Sequence, residues 1–313
     1  MLAFIARRAL ATIPVMAVVA IFVFLLLHLG PGDPATIIAG DYASPADIER
    51  IRERLGLDDP LYIQFANWIG RLAQGDLGVS IFSNLPVSTL IAQRIEPTLA
   101  LSIFTLIIAI TVAVPLGVVA AWRSGSWIDR GVMGFAVAGF STPVFVLAYL
   151  LIYGLSLKLK IFPVQGYVSI ADGLWPFLHR LILPSVTLSV IFIALFARIT
   201  RASMLDVLGE DYIRTAHAKG LPEHVVLMRH GLRNAAVPII TVIGTGFALL
   251  VGGVVVTESV YNIPGLGRLT VDAVLRRDYP VIQGIILVFS GLYVLVNLIV
   301  DVLYTVFDPR IRY

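Results

Sequence analysis

The sequence predicts an all-α integral membrane protein with six transmembrane helices, a long extracytoplasmic first loop and a short cytosolic helix. Of the 313 residues, 58% are hydrophobic and only 14% are charged, whereas a soluble domain carries about 25% charged residues. The sequence also holds six long, almost charge-free runs. Each is long enough, or nearly so, to cross a bilayer as a helix of about 20 residues. They cover residues 9–27, 98–122, 131–157, 181–197, 235–257 and 279–300.

Two of these runs need comment. The first follows Arg7 and Arg8, as a signal peptide would. It exceeds a typical signal-peptide core of about 7–15 apolar residues, and no A-x-A cleavage site follows it, so we expect a retained anchor. The fourth run is short, but Arg198 can snorkel and the helix can continue into the cytosol.

Lys and Arg set the orientation, because cytosolic loops carry an excess of them. With a cytosolic N-terminus, just over half of the 23 Lys and Arg residues fall in the inner segments, which are the shorter set. Both termini are therefore expected in the cytosol of a multi-pass protein.

The composition excludes several classes of chemistry. The chain has no cysteine, which excludes disulfides and thiolate chemistry. Its net charge of only +3 does not indicate a nucleic-acid partner. No H-E-x-x-H pattern or Walker A motif occurs. We therefore expect no metal site and no ATP site in this chain.

The first outer loop, residues 29–97, is long enough to fold on the surface. Ser44-Pro45-Ala46-Asp47 resembles a capping box, and Ile48, Ile51 and Leu55 then share one helical face that Gly56 ends. A second amphipathic helix is expected after Asp59-Pro60, with apolar side chains at Leu61, Phe65, Trp68 and Leu72.

Within the cytosolic loop 199–234, residues 210–222 predict a short polar helix. Acidic residues open it, and His217 and Lys219 close it, which suits the helix dipole. Gly220 can take a left-handed conformation at the helix end, and Pro222 can open the next helix. Such a helix between membrane spans is expected to contact a cytosolic partner or to be an ordinary solvated loop.

Two small-residue patterns bear on the spans. Gly139–Pro143 fails the G-x-S-x-G hydrolase pattern because Pro143 replaces the last Gly, so we expect Ser141 and Pro143 to shape a span. Close helix contacts are expected at Gly244, Gly246, Gly252 and Gly253.

Four motifs along nearly the whole chain carry a family resemblance. They are Leu55–Leu61 with Gly75–Ser80; Asp211–Gly220 with Arg229–Asn234 and Pro238; Glu258–Arg268 with Arg277–Pro280; and Asp308–Arg310. In this order, on six spans, the chain resembles the B-type membrane permease subunit of bacterial dipeptide and oligopeptide ABC transporters.

The resemblance implies a single importer transmembrane domain over residues 1–313, in the bacterial inner membrane, that forms half of a path for di- or oligopeptides. It implies a homologous C-type permease, two cytosolic ATPases that hold ATP and Mg, and an extracytoplasmic binding protein. The second motif is similar to the EAA loop, whose coupling helix docks on the ATPase. Arg214 and Thr215 replace the consensus Glu and first Ala. The docking residues implied are Asp211, Tyr212, Ile213, Arg214, Thr215, Ala216, His217, Lys219 and Gly220.

Several roles stay open. Arg214 and Lys219 could pair with ATPase acids or be solvated surface charges. Glu258 and Arg268 could line a gate, contact the binding protein or simply flank a turn made by Asn262, Pro264, Gly265 and Gly267. Asp301 is an acid at membrane depth, but its position near the span end also suits a cap or a pairing with an inner Arg.

Other functions remain possible from the residues. A nickel or glutathione permease would belong to the same branch. An ion-coupled secondary transporter would need buried acids or broken helices, for which only Asp301 is available. An intramembrane hydrolase would need Ser141 beside a histidine at the same depth.

Overall fold

The computed structural model describes residues 2–29, 33–39 and 44–307, and helices dominate these ranges. The final motif, Asp308–Arg310, lies outside the described residues. The α-helices are α1 Leu2–Leu29, α2 Pro34–Ala39, α3 Pro45–Leu55, α4 Leu61–Ala73, α5 Val87–Trp122, α6 Trp127–Ser141, α7 Val144–Leu151, α8 Leu174–Leu208, α9 Asp211–Ala218, α10 Glu223–Val225, α11 Ala236–Val260, α12 Leu266–Leu275 and α13 Tyr279–Phe307. Helix α7 continues as a π-helix over Ile152–Lys158, and α10 over Val226–Leu232.

The helices agree with the expected membrane class. Three are long and apolar enough to cross a bilayer: Val87–Trp122, Leu174–Leu208 and Tyr279–Thr305. Two bent pairs correspond to the runs 131–157 and 235–257 and raise the number of candidate spans to five within the described residues. The first run gives a shorter apolar helix, Leu10–Leu26.

The run 131–157 is broken by a sharp bend instead of forming one straight helix. Its two halves, Trp127–Ser141 and Val144–Lys158, meet at 104°. Thr142 is extended, with φ −86° and ψ 121°, because a residue that precedes proline is pushed out of the helical region. Pro143 then caps the start of α7. The expectation that Pro143 shapes this span is confirmed.

The chain divides into two compact units, of which the first comprises Met1–Glu96 and Arg268–Val294. Both amphipathic helices predicted in the first loop form, as α3 and α4, and Gly56 ends α3 with φ +64°. The apolar face of α4 packs on α1, since the Phe24 ring centroid lies 5.3 Å from that of Phe65 and 5.8 Å from that of Trp68. The side chains of Asp47, Ile51 and Leu55, which carried part of the prediction, lie outside the described side chains.

Two motifs that are far apart in the sequence meet inside this first unit. Asp278 is buried, and its carboxylate accepts hydrogen bonds from the Ser80 hydroxyl at 2.5 Å and from the Ile81 N–H at 3.2 Å. Ser80 is itself buried and accepts the Ser83 N–H at 3.0 Å. Because a buried carboxylate needs such donors, this contact fixes the loop before α5 against the start of α13.

The second unit, Pro97–Gly267 with Leu295–Tyr313, is organised around α8. This helix packs against α6, α7 and α11. Of its apolar stretch, 61% is buried, against 33% for α5 and 17% for α13. Helix α8 is therefore the core of the unit.

Three of the four glycines named from the sequence do allow close helix contact. A Cβ at Gly244, Gly246 or Gly253 would come within 2.6–2.7 Å of a side chain on a neighbouring helix. Gly252 faces open space instead, so the prediction was wrong for this glycine.

A hydrogen-bonded turn follows α11 in the second unit. Asn262 takes the left-handed conformation with φ 53°, and the Ile263 N–H donates to the Glu258 carbonyl at 2.8 Å, as in a Schellman helix end. The fully buried Glu258 carboxylate accepts the Thr98 hydroxyl at 2.5 Å, and that hydroxyl accepts the Leu266 N–H at 2.7 Å. The turn is therefore tied to α5.

The glycines of this turn serve close approach rather than a left-handed backbone. A Cβ at Gly265 would overlap the Glu258 carboxylate, and a Cβ at Gly267 would lie 2.7 Å from the Val255 Cα. These glycines therefore help to form the turn by letting the chain pass close to Glu258.

We expect Gly265→Ala to destabilise the detergent-solubilised protein by roughly 1–3 kcal/mol, the usual cost of overpacking a filled site. Gly252→Ala is the matched control, because its Cβ would meet nothing within 4 Å. The midpoints of thermal unfolding measure both effects. Equal midpoints for the two variants would contradict the packing described for Gly265.

Candidate functional site

The short helix predicted between two membrane runs forms as α9, Asp211–Ala218. Glu210 precedes it in an extended conformation, and Asp211 lies in its first turn, where a negative charge interacts favourably with the helix dipole. Only Gly209 and Glu210 separate α9 from the end of α8. Helix α9 therefore follows α8 after a link of only two residues.

The C-terminal end of α9 is a complete Schellman motif. Gly220 has φ 71°, its N–H donates to the His217 carbonyl at 2.9 Å, and the Leu221 N–H donates to the Ala216 carbonyl at 3.3 Å. Pro222 then occupies the cap position of α10. The expected roles of Gly220 and Pro222 are both confirmed by this geometry.

One face of α9 is buried in its own chain. Ile213 is 1% exposed and Ala216 is 5% exposed, and both pack against Val226, with Leu208 and Leu221 at the edge of the cluster. Burying an isoleucine side chain contributes about 1.5–3 kcal/mol. Ile213 and Ala216 therefore anchor the helix and are not exposed to a partner.

The opposite face is open to solvent. Tyr212 is 41% exposed. The pKa of its phenol is raised, mainly by burial of the rest of the side chain and to a smaller extent by the nearby Glu210 carboxylate. The phenol is therefore neutral at physiological pH and can donate a hydrogen bond. The other exposed members of the predicted set are Asp211, Arg214, Thr215, His217, Lys219 and Gly220.

Charges on this face are paired only locally. Arg214 lies 2.8 Å from Asp211, but the two side chains are 77% and 90% exposed, so the pair contributes little to stability. The His217 Nε2 lies 3.1 Å from Glu223. Because the Arg214–Asp211 pair is exposed to solvent, these two charges are available to another surface.

The segments before and after α9 pack together in one hydrophobic cluster. The π-helix Val226–Leu232 places Leu227 against Met204 of α8 and against Val118 and Ala121 near the end of α5. A Cβ at Gly231 would come within 2.8 Å of the Met204 side chain. Helices α5, α8 and α11 thus share one cluster with the segment that carries α9.

A buried ion pair in the same unit was not found from the sequence. Asp129, in the first turn of α6, has a side chain only 6% exposed, and Arg201 of α8 binds it through two nitrogens. The Nη2 nitrogen of Arg201 lies 2.7 Å from Oδ2 of Asp129, and the Gly125 N–H also donates to that oxygen, at 2.9 Å. No local pattern indicates this contact, because the partners are 72 residues apart.

The remaining predicted positions are dispersed. Glu258 is buried in the last turn of α11, Arg268 is half-buried in α12, and Asp301 is half-buried near the end of α13. In the described part of the chain, Ser141 makes no hydrogen bond to a histidine. Among these same residues, no cluster of His, Cys, Asp or Glu could hold a metal ion.

Comparison with known proteins agrees with this geometry. The family described as binding-protein-dependent transport system inner membrane component matches residues 113–313, and its N-terminal family matches residues 1–102. The probable peptide ABC transporter permease protein y4tP of Sinorhizobium fredii is 54% identical over 310 residues, covering 99% of each chain. The glutathione transport system permease protein GsiC of Escherichia coli is 49% identical over 314 residues, covering all of both chains.

The fold also has a counterpart among solved structures. A chain of the inward-facing MetNI methionine ABC transporter superposes with a TM-score of 0.55 at 18% identity, covering 71% of this chain and 97% of that one. The likeness concerns the fold alone. With the two family matches and relatives at about half identity over their full length, this chain belongs to the family of binding-protein-dependent transport system inner membrane components.

Proposed function

We propose that this chain is the membrane permease subunit of an ATP-driven importer and that α9 is its coupling helix. The observation that carries the proposal is the two-sided character of α9: Ile213 and Ala216 anchor it, while Tyr212, Arg214 and Thr215 face outward. A rigid helix with an exposed polar face, two residues beyond a long apolar helix, is suited to receive force from a soluble partner.

The partner at α9 is a cytosolic ATPase that holds ATP and Mg. The family's dependence on a binding protein supports an ATP-driven system with such a protein on the other side of the membrane. Membership of this family places the chain in the inner membrane as a multi-pass protein. The proposal adds a homologous second permease, two ATPases, six spans and cytosolic termini.

The substrate class is a peptide. Support comes from the relative named as a probable peptide permease and from four Brucella relatives, each 48% identical and named as a putative peptide transport system permease protein. Glutathione is the second candidate, because a permease named for it is 49% identical over the whole chain. Uptake of a labelled dipeptide and of glutathione by the reconstituted complex, each with its cognate binding protein, would choose between them.

The opposite positions of α9 and the first loop can be tested with single cysteines, since the chain has none of its own. Tyr62 is 73% exposed in α4, and Ala218 is exposed at the end of α9. We expect a membrane-impermeant thiol reagent to label Tyr62→Cys in intact spheroplasts and Ala218→Cys only after lysis. Labelling of both cysteines from the same side would contradict the topology.

We expect Gly220→Pro to abolish ATP-driven uptake while the chain still inserts. Proline fixes φ near −65° and removes the N–H that donates to His217, so the Schellman end of α9 cannot form. Gly220→Asn is the matched control, because asparagine tolerates the left-handed conformation, and it should retain uptake. The measurements are the amount of the chain in the membrane and the uptake of substrate. Normal uptake by the proline variant would show that residues 211–220 are only a linker.

Tyr212→Ala should lower the amount of ATPase that co-purifies with the chain by about fivefold or more, as expected for the loss of one aromatic contact at an interface. Tyr62→Ala removes an exposed tyrosine from the first loop and serves as the control. If both variants retain the same amount of ATPase, the exposed face of α9 is not the docking surface.

A further inference from the structure

Helix α8 leads into the coupling helix and is joined to α6 of the bent α6–α7 pair by a polar contact, the Arg201–Asp129 joint. Arg201 lies two turns before the end of α8, and its guanidinium binds the Asp129 carboxylate through two nitrogens. A bidentate arginine–carboxylate contact fixes orientation as well as distance. Helices α6 and α8 also pack against each other along their length.

The Asp129 end of this joint is held rigidly. The Ser126 hydroxyl caps α6 by accepting the Asp129 N–H at 3.4 Å, and the Asp129 carboxylate accepts the Gly125 N–H at 2.9 Å. The turn between α5 and α6 and the first turn of α6 are therefore organised around one carboxylate. A shift of Arg201 moves this whole turn and not only one side chain.

The Arg201 end is connected just as directly to α9. Leu208, the last residue of α8, is seven positions after Arg201, and two more residues lead into α9. Met204, between them, is fully buried in the cluster that also holds Leu227. Because the intervening helix is packed, displacement of α9 reaches Arg201 as a rigid-body motion.

We propose that Asp129 and Arg201 form a positioning pair that transmits the movement of the coupling helix through α8 to α6 and its 104° bend at Thr142–Pro143. The pair contacts neither the ATPase nor the substrate. It sets the angle at which α6 follows α8 when the transporter switches between its two arrangements. This inference rests on the proposed function of α9.

The test is the ratio of peptide taken up to ATP hydrolysed by the assembled transporter in proteoliposomes. Arg201→Lys keeps the positive charge but loses the bidentate geometry, and Asp129→Asn keeps the shape but loses the negative charge. For each variant we expect normal co-purification of the ATPases and a fall of about tenfold in uptake per ATP, within the range by which residues between two sites modulate coupling. A merely structural pair would lower uptake and hydrolysis together and leave the ratio unchanged.

Arg198→Lys is the matched control. Arg198 lies one turn earlier on α8, is exposed, and should keep the wild-type ratio. The inference is overturned if Arg201→Lys and Asp129→Asn both keep the wild-type ratio. It is equally overturned if neither variant assembles while Arg198→Lys does, because the pair would then only hold the fold.

Failure of the proposed function would look different. In that case no ATPase would co-purify with the unmodified chain, or the Gly220→Pro variant would show normal uptake of peptide. The positioning role alone fails if the unmodified transporter couples uptake to hydrolysis and if Arg201→Lys and Asp129→Asn each couple the two equally well.

Discussion

An eight-residue helix does not persist in water by itself, because nucleation is unfavourable and short helices are marginal even with the best sequences. Helix α9 therefore depends on the burial of Ile213 and Ala216 against Val226. That burial turns a polar segment into a rigid body with one face attached to the chain and one face free. The Schellman end at Gly220 and the short link to α8 matter because this burial holds α9 in place.

From this anchor a continuous mechanical route runs through the second unit. Helix α8 is the most buried of the three long, unbroken spans, and it packs on α6, α7 and α11. Arg201 adds a directional contact to Asp129 of α6. The bend after Ser141 gives α6 and α7 a joint that a straight helix would lack, and small changes at packed elements are amplified at such joints.

Much of the fold follows from local properties of the sequence. Apolar runs predicted the long helices, and Gly56 and Gly220 marked the ends of α3 and α9. Pro143 was expected to shape a span and lies at the bend, because conformational restrictions at Gly and Pro act within a few residues. The size of the bend, 104°, depends on packing and was not predictable. Ile213 and Ala216 were named among the docking residues, and the structure buries both against their own chain. The docking role of the set stays a prediction.

The polar contacts that join distant segments were beyond reach of a single sequence. Ser80 and Asp278 are 198 residues apart, Thr98 and Glu258 are 160 apart, and Asp129 and Arg201 are 72 apart. None of these pairs leaves a periodic pattern or a spacing that could indicate it. They are known only once the helices are packed.

The central claim, that α9 receives the ATPase, is tested most directly by site-specific photocrosslinking in the assembled transporter. A photoreactive residue at Thr215, on the exposed face of α9, should form an adduct with the ATPase. The same residue at Tyr153, which is 56% exposed in the π-helix after α7, should not. Absence of the Thr215 adduct in a complex that still hydrolyses ATP and takes up peptide, or an equal adduct from Tyr153, would contradict the claim.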